Sequence, residues 1–443
     1  MAASFAASIL SVMSTPFELR AYAEHKNVEP GTSTLWAAIR VDPKGKALET
    51  DRAPLAIALV IDTSGSMQGD PIAHARAAAR KVVETMADGD LLGLVTFDSH
   101  ARTLIEPVVL GPQTRRRALA TIAELRADGG TALHDGVKLA ELSLLHAPEE
   151  YLVKRVVVIS DGQATAGPTD PEVLGNLAEV GMGHGIQVTA LGVGLDYDEH
   201  TLDAFAVRSS GRLYHIESSK EMPSMIVREL ELLASSSAAL AELEIVPARG
   251  VTILGADAVR ASGGGKAGLR VPLGVMFAGQ QREVLVRVRV DRRTHGDHAL
   301  ASVRLRFRDP GDDGIERVQE SLVRATVTDD PRMVAEHEND RAQTIIAMRE
   351  ASMLAAQASR SATDGDLELA TADLDRAEQS LRDKAVHMKD EKQRRQVISN
   401  AEQLGRAKKK VQEAAEAPAA ARATKSRAAA LDANDAFMSL DGF

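Results

Sequence analysis

The feature that most constrains the fold is a series of short, continuous apolar runs between Leu55 and Ser235, separated by longer amphipathic stretches. Continuous, β-branched runs are typical of parallel strands that helices cover on both faces. The predicted strands are Leu55–Asp62, Asp90–Phe97, Val153–Ser160, Gly185–Val193 and Arg212–Ile216. The predicted helices are Pro71–Ala87, Thr114–Arg126, His134–His146, Pro171–His184 and Ser218–Ala234. The sequence therefore predicts an α/β domain with a doubly wound, mostly parallel sheet.

The pattern differs on both sides of this region. After Ser237, apolar and polar residues alternate with a period of two, as in Glu283–Val290 and Ser302–Arg308. This alternation is typical of antiparallel strands with one exposed face. The segment Phe17–Val41 has two similar runs, which are too few to form a stable sheet alone. We therefore predict an antiparallel β-sandwich, built from both segments, into which the α/β domain is inserted.

The C-terminal part, from about Pro331, is dominated by Ala, Glu, Gln, Arg and Leu, which favour helices. The predicted helices are Met333–Ser361, Leu367–Asp383 and Lys389–Ala414, followed by a linker over Ala417–Ala430. The tail, Leu431–Phe443, is either a docking segment or an ordinary chain end. The predicted division is 1–52 for the first sandwich strands, 53–236 for the α/β domain, 237–330 for the rest of the sandwich, 331–416 for the helical region and 417–443 for the linker and tail.

Polar side chains follow the first predicted strand and two later elements. Asp62, Ser64 and Ser66 form an Asp-x-Ser-x-Ser sequence at the end of the first strand. Thr131 follows two glycines, and Asp161 lies in a Ser-Asp-Gly sequence that ends another strand. Because ligands bind at the carboxyl ends of the strands in such sheets, we expect these side chains to converge. Their oxygen atoms suit a hard divalent cation and do not suit zinc or copper.

As a set, the Asp-x-Ser-x-Ser, Gly-Gly-Thr and Ser-Asp-Gly sequences resemble the von Willebrand factor type A domain and its metal-ion-dependent adhesion site. The resemblance implies that Ser64, Ser66 and Thr131 coordinate Mg²⁺ through their hydroxyl oxygens. It implies that Asp62 and Asp161 act directly or through bound water, and Mn²⁺ and Ca²⁺ are the alternative metals. It also implies an open coordination position that an Asp or Glu of a protein partner fills. The flanking arrangement is similar to bacterial type A proteins and, more distantly, to inter-alpha-trypsin-inhibitor heavy chains.

The resemblance implies a non-enzymatic, Mg²⁺-dependent scaffold that binds a partner carboxylate. A second hypothesis is an accessory subunit of an AAA+ ATPase or of a kinase–phosphatase system. A third is a homo-oligomer in which the metal site of one chain receives a carboxylate from the next. In the family, ligand binding can shift the last helix of the domain, here Ser218–Ala234, which would couple the site to the sandwich.

Three other kinds of chemistry have weaker support. A serine hydrolase would use Ser64 or Ser66 as the nucleophile, but the sequence has no Gly-x-Ser-x-Gly elbow. The candidate bases for such a reaction are His74, His100 and His134. The chain has no cysteine, which excludes disulfides, thiolate metal sites and a cysteine nucleophile. The glycine-rich run Ser262–Ala267 lacks the last residue of a phosphate-binding loop, and we predict a hairpin turn there.

The charge distribution disfavours nucleic acid and membrane partners. The net charge is −10, although residues 391–427 carry ten Lys/Arg against four Glu, a local net charge of +6. That stretch has no aromatic residue to stack on bases, so a solvated helix face is the favoured interpretation. A secretory signal requires Lys or Arg near its start, but none precedes Arg20. No run is long and apolar enough for a membrane span. Together with the absence of cysteine, this predicts a cytoplasmic protein.

Overall fold

The first strands that the structure describes pair mostly with strands far along the sequence. The computed structural model describes residues 16–44, 53–161, 164–193, 199–216, 218–257, 261–277, 281–312, 314–335, 339–388, 391–418, 422, 425–426, 429–430 and 433. The first strands are β1 (Phe17–Ala23), β2 (Asn27–Val28) and β3 (Gly31–Pro43). β1 and β3 pair as an antiparallel hairpin, and their other neighbours follow the α/β domain.

The α/β domain alternates strands and helices, as predicted. Its strands are β4 (Leu55–Asp62), β5 (Leu91–Phe97), β6 (Ala101–Val109), β7 (Val153–Ser160), β8 (Ile186–Val193) and β9 (Arg212–Ile216). Its helices are α1 (Asp70–Thr85), α2 (Pro112–Ala123), α3 (Leu133–Leu145), α4 (Pro171–Gly183), α5 (Glu199–Arg208) and α6 (Met222–Ala234). The sheet order is β6-β5-β4-β7-β8-β9, with β6 antiparallel to β5 and the other pairs parallel. The predicted doubly wound, mostly parallel sheet is confirmed.

The central strand β4 explains why its sequence is apolar throughout. All eight of its residues are buried, because successive side chains point into two separate cores. Leu55, Ile57, Leu59 and Ile61 pack with residues of α1, α2 and α6. Ala56, Ala58 and Val60 pack on the other face with residues of α3, α4 and α5. A strand that is covered on both faces needs an apolar residue at almost every position.

β4 is also the strand at which the winding of the sheet reverses. The chain continues through α1 to β5 on one side of β4, whereas β7 lies on the other side and is reached through α3. Since α1 and α3 pack on opposite faces of the sheet, a crevice opens at the carboxyl end of β4. Asp62, the last residue of β4, lies at this crevice.

The remaining strands complete an antiparallel sandwich. They are β10 (Ser236–Pro247), β11 (Val251–Asp257), β12 (Ser262–Gly264), β13 (Gly268–Phe277), β14 (Arg282–Arg292), β15 (Gly296–Asp309) and β16 (Ile315–Val327). One sheet has the order β1-β3-β14-β11, and the other has the order β12-β13-β10-β15-β16-β2. Phe17 and Phe307, from the two sheets, meet edge to face with ring centroids 5.6 Å apart. The predicted insertion of the α/β domain into a sandwich built from both ends is confirmed.

Several helices and strands were not predicted from the sequence. β6 was not predicted because Arg102, Glu106 and Pro107 interrupt its apolar residues, which an edge strand tolerates. α5 and four of the seven later strands, β11, β12, β13 and β16, were also not predicted. The glycine-rich run Ser262–Ala267 does form the predicted hairpin turn, between β12 and β13.

Helices follow the sandwich: α7 (Pro331–Ala335), α8 (Asp340–Thr363), α9 (Leu367–His387) and α10 (Glu391–Ala415). The single helix predicted over Met333–Ser361 is therefore two helices. α8 covers the outer face of the β1-β3-β14-β11 sheet, where Ile345 packs with Leu285. Arg349 of α8 also donates to Asp257 of β11 at 2.7 Å. Within the described residues, no helix has both the length and the apolar character needed to cross a membrane.

The segment predicted as a linker, Ala417–Ala430, differs from that prediction where the structure describes it. Its described residues beyond Pro418 are helical. Ala429 and Ala430 are buried against α8, α9 and α10, and the Ser359 hydroxyl donates to the Ala430 carbonyl at 2.9 Å. Small alanine side chains allow this close packing, which composition alone does not reveal. Of the tail, only Ala433 lies within the described residues, so the docking hypothesis stays a prediction.

Candidate metal centre

Asp62 is the innermost residue of the site. Its side chain is fully buried, and each carboxylate oxygen accepts a hydrogen bond. Oδ1 accepts from the backbone N–H of Ser64 at 2.8 Å, and Oδ2 accepts from the Ser160 hydroxyl at 2.5 Å. Burial raises the pKa of Asp62 to about 6, although the hydrogen bonds from Ser160 and Ser64 lower it. A cation beside this carboxylate would favour the ionised form.

Ser64 and Ser66 extend the site from the buried Asp62 to the surface of the domain. A single 3₁₀ turn, Gly65–Met67, brings their hydroxyl oxygens within 3.0 Å of each other. Ser64 is buried, whereas Ser66 is exposed. The Gly65 N–H donates to the Gly129 carbonyl at 2.9 Å, which ties this turn to the loop that precedes Thr131. Three of the five predicted ligands, Asp62, Ser64 and Ser66, are therefore brought together.

The loop before α3 positions Thr131. Gly129 has φ +85°, a left-handed conformation that favours glycine, and a Cβ atom at Gly130 would lie 3.2 Å from Ser99 Oγ. The Gly130 N–H donates to that same oxygen at 2.9 Å. Thr131 is buried, and its backbone N–H donates to Thr165 Oγ1 at 2.9 Å. Contacts from the loops after β5 and β7 thus hold Thr131 at the carboxyl edge of the sheet.

Asp161 is the second carboxylate at this edge. It directly follows Ser160, which bonds Asp62, and its side chain is partly exposed. Its negative charge contributes to the raised pKa of Asp62, so the two carboxylates are electrostatically coupled. Two carboxylates repel each other unless a proton or a cation lies between them.

The donor set fits a hard divalent cation. The five predicted ligands offer two carboxylates and three hydroxyls, and magnesium, calcium and manganese prefer such oxygen ligands. Across the part of the chain that the structure describes, no three Asp, Glu or His side chains gather as a metal site. Among the five predicted ligands, hydroxyls outnumber carboxylates. Asp62 and Asp161 would supply the negative charge that attracts the cation.

The serine hydrolase arrangement is not formed by the described side chains. Ser64 and Ser66 bond each other, and neither has a hydrogen bond to a histidine among the described contacts. His74 Nδ1 lies 2.6 Å from the Ser219 hydroxyl, and His134 Nδ1 lies 2.9 Å from Asp135. The histidines considered as bases therefore have other partners or no described bond to these serines.

Three hydroxyl residues of the site were not assigned a role from the sequence: Ser99, Ser160 and Thr165. Ser160 precedes Asp161 at the end of β7, so its position in the Ser-Asp-Gly sequence was a usable signal. Ser99 and Thr165 lie in loops after β5 and β7 and bond the backbone before and at Thr131. No local sequence signal marks these loop contacts.

One family model matches most of the α/β domain. The sequence model of the von Willebrand factor type A domain matches residues 56–228. An uncharacterized protein of Synechocystis is 27% identical over 300 residues, which are 64% of this chain and 69% of that protein. Inter-alpha-trypsin inhibitor heavy chain H4 of Sus scrofa is 29% identical over 163 residues, or 36% of this chain and only 18% of that protein.

Two solved structures share the architecture over almost the whole chain. A von Willebrand factor type A protein from Catenulispora acidiphila has a TM-score of 0.76 and 18% identity, and the match covers 97% of both chains. The ArnB paralog VWA2 from Sulfolobus acidocaldarius has a TM-score of 0.63 and 16% identity, covering 94% of this chain and 97% of the other. At these identities the likeness concerns the fold.

Proposed function

Residues 56–228 form a von Willebrand factor type A domain, a family that commonly mediates protein–protein interaction, and from this premise we propose that the chain is a metal-dependent scaffold. In this proposal, Asp62, Ser64, Ser66, Thr131 and Asp161 would hold a cation that would attract a carboxylate of a protein partner. The protein binds its partner and does not transform it. The sandwich and the helices present the domain to the rest of an assembly.

One observation carries the proposal: the Asp62 carboxylate and the hydroxyls of Ser64 and Ser66 converge where the sheet reverses its winding. Together with Thr131 and Asp161, these side chains would hold Mg²⁺, with Mn²⁺ or Ca²⁺ as alternatives. The hydroxyls would coordinate directly, and the carboxylates would act directly or through water. When bound, the metal would supply a positive charge at the end of β4.

The burial gradient across the site supports capture of a macromolecular group. Asp62 is fully buried and Ser64 is 1% exposed, whereas Ser66 is exposed at the rim. A partner carboxylate would therefore approach from the Ser66 side, where a cation held by these residues would attract it. The interaction between a cation and a carboxylate is charge-assisted, so a neutral side chain at that position would bind more weakly.

The test is a pull-down from a lysate of the source cells with the full chain, in Mg²⁺ and in EDTA. We expect Asp62→Ala to lose the partners that wild type retains only in Mg²⁺. Asp70→Ala is the matched control, because Asp70 is an exposed carboxylate at the start of α1, eight positions from Asp62. Identical partner sets for wild type and Asp62→Ala would reject the proposal.

Light scattering in the same two buffers measures the molar mass and tests whether the partner is a second copy of the chain. A mass that doubles in Mg²⁺ and returns to that of one chain in EDTA assigns the partner carboxylate to a second copy. A constant mass, combined with Mg²⁺-dependent capture, assigns it to another protein, such as a subunit of an ATPase or signalling assembly.

A further inference from the structure

Ser160 occupies a buried position beside the innermost ligand of the site. Residues Ile61 and Ile159 are register partners on the parallel strands β4 and β7. Asp62 and Ser160 therefore follow side by side where the two strands end. Ser160 is 0% exposed, so its hydroxyl has no access to bulk water and must bond within the protein.

Asp62 accepts hydrogen bonds from two separate parts of the chain. Ser160 Oγ donates to Oδ2 at 2.5 Å from β7, and the Ser64 N–H donates to Oδ1 at 2.8 Å from the turn after β4. Each carboxylate oxygen retains further acceptor capacity after one such bond. The two donors thus fix the carboxylate plane and leave both oxygens able to bond a metal or its water.

Resting on the function proposed above, we propose that Ser160 is a positioning residue of the metal site, whose hydroxyl holds the Asp62 carboxylate in the orientation that a cation beside Ser64 and Ser66 requires. Hydrogen-bond partners of metal ligands orient them, and their loss typically weakens metal affinity by about 10- to 100-fold. Removing the Ser160 hydroxyl leaves Oδ2 without this donor and frees the carboxylate to turn.

The competing explanation is that Ser160 only stabilises the fold by satisfying a buried carboxylate. Ser209 provides the matched control, since it is also 0% exposed in the same domain and its hydroxyl accepts from the Val188 N–H at 2.7 Å. Ser209→Ala therefore removes a buried hydroxyl whose described hydrogen bonds go to the backbone of Val188 and Ala206 and not to the five predicted ligands. A purely structural role for Ser160 predicts that the two alanine variants behave alike.

The experiment titrates Mn²⁺ into the full chain and follows the free ion by electron paramagnetic resonance, without any partner protein. We expect Ser160→Ala to weaken Mn²⁺ binding by at least about tenfold, and Ser160→Thr, which keeps the hydroxyl, to stay within about threefold of wild type. Ser209→Ala should bind Mn²⁺ like wild type even if its melting temperature falls. If Ser160→Ala does not fold, Ser160→Cys, a weak donor of similar shape, takes its place.

The outcomes separate this inference from the proposed function. Wild-type affinity in Ser160→Ala (or Ser160→Cys), combined with lost binding in Asp62→Ala, overturns the role of Ser160 and leaves the metal site standing. Equal weakening in Ser160→Ala and Ser209→Ala also overturns it. Unchanged Mn²⁺ binding in Asp62→Ala rejects the proposed metal site itself, and the inference with it.

Discussion

Glu141 shows how one buried side chain links pH to stability. It lies on α3, is 4% exposed, and its Oε1 has no hydrogen-bond partner among the described residues. Its carboxyl group lies so close to Gly181 of α4 that a Cβ atom there would be 2.5 Å from Oε1. Burial raises the pKa of Glu141 from 4.5 to about 8. The folded protein therefore keeps this proton over a pH range in which the unfolded chain releases it.

Below about pH 4.5, Glu141 is protonated in both the folded and the unfolded chain, so it does not change the free energy of unfolding. As the pH rises from about 4.5 to about 8, only the unfolded chain releases the proton, and the free energy of unfolding decreases. We expect Glu141→Gln, which cannot ionise, to be more stable than wild type by on the order of 3 kcal/mol at pH 7, with little difference at pH 4.5. Urea unfolding at both pH values measures this, and the exposed Glu149→Gln is the control. Parallel pH profiles for Glu141→Gln and wild type would contradict the prediction.

Single residues were predictable from the sequence when their signal was local. Asp62, Ser64 and Ser66 lie within five positions and follow a buried strand, so their convergence could be expected. The contacts of Ser99 and Thr165 with the Thr131 loop join segments that are more than 30 positions apart. Such contacts depend on loop conformations, which neither periodicity nor composition encodes.

At the scale of elements, a buried polar network fixes α6 to the sheet. Glu229 of α6 accepts from the Thr189 hydroxyl at 2.6 Å and from the Tyr214 hydroxyl at 2.8 Å. The Arg155 guanidinium of β7 lies 3.9 Å from the Glu229 carboxylate, and both side chains are 1% exposed. Because α6 leads directly into β10, a shift of this helix toward the sandwich would have to break these contacts.

The network predicts a large effect of Glu229→Ala. The variant leaves Arg155 buried without its carboxylate, which typically costs about 3–5 kcal/mol of stability. We expect a lower melting temperature and faster hydrogen–deuterium exchange in α6. Glu231→Ala, at an exposed position of the same helix, should change neither. Wild-type exchange in α6 of Glu229→Ala would show that the network does not hold the helix.

Strands were predictable from the sequence where burial on both faces required an apolar residue at almost every position. β4, β7 and β8 are covered on both faces, so their apolar runs stood out, and their predicted bounds agree within one residue. β16 was missed because its outer face mixes charged residues with the exposed Val318 and Leu322, and its inner face is apolar only near its end. A strand of that kind is stabilised by its neighbour β15, and that pairing is not a local property.

At the scale of the whole molecule, the sandwich depends on the first strands of the chain. β3 lies between β1 and β14, and its residues share one core with β10, β13 and β15. The change from continuous runs to alternation at Ser237 allowed this insertion to be predicted. The packing of α8 and of the last described alanines was not predictable, since alanine-rich helices carry no signal for their partners.

Deletion of residues 1–44 tests this dependence. The variant loses β1, β2 and β3, which exposes the edges of β14 and β16 and one side of the sandwich core. We expect fast hydrogen–deuterium exchange in strands β10 to β16, or aggregation through these strands. The inserted domain should be less affected, because its own residues form most of its two cores. In soluble material, β4 and β7 should remain protected. A soluble variant with unchanged protection of β14 would contradict the prediction.

The proposed function requires a divalent cation at the carboxyl end of β4 that would attract a carboxylate of the partner. Anomalous X-ray scattering from crystals of the full chain grown with Mn²⁺ tests the binding site most directly. We expect one strong peak within about 2.0–2.6 Å of the Ser64 and Ser66 hydroxyl oxygens, and no peak there in Asp62→Ala crystals. A wild-type map with no peak beside these serines, or with the ion bound elsewhere, would contradict this expectation.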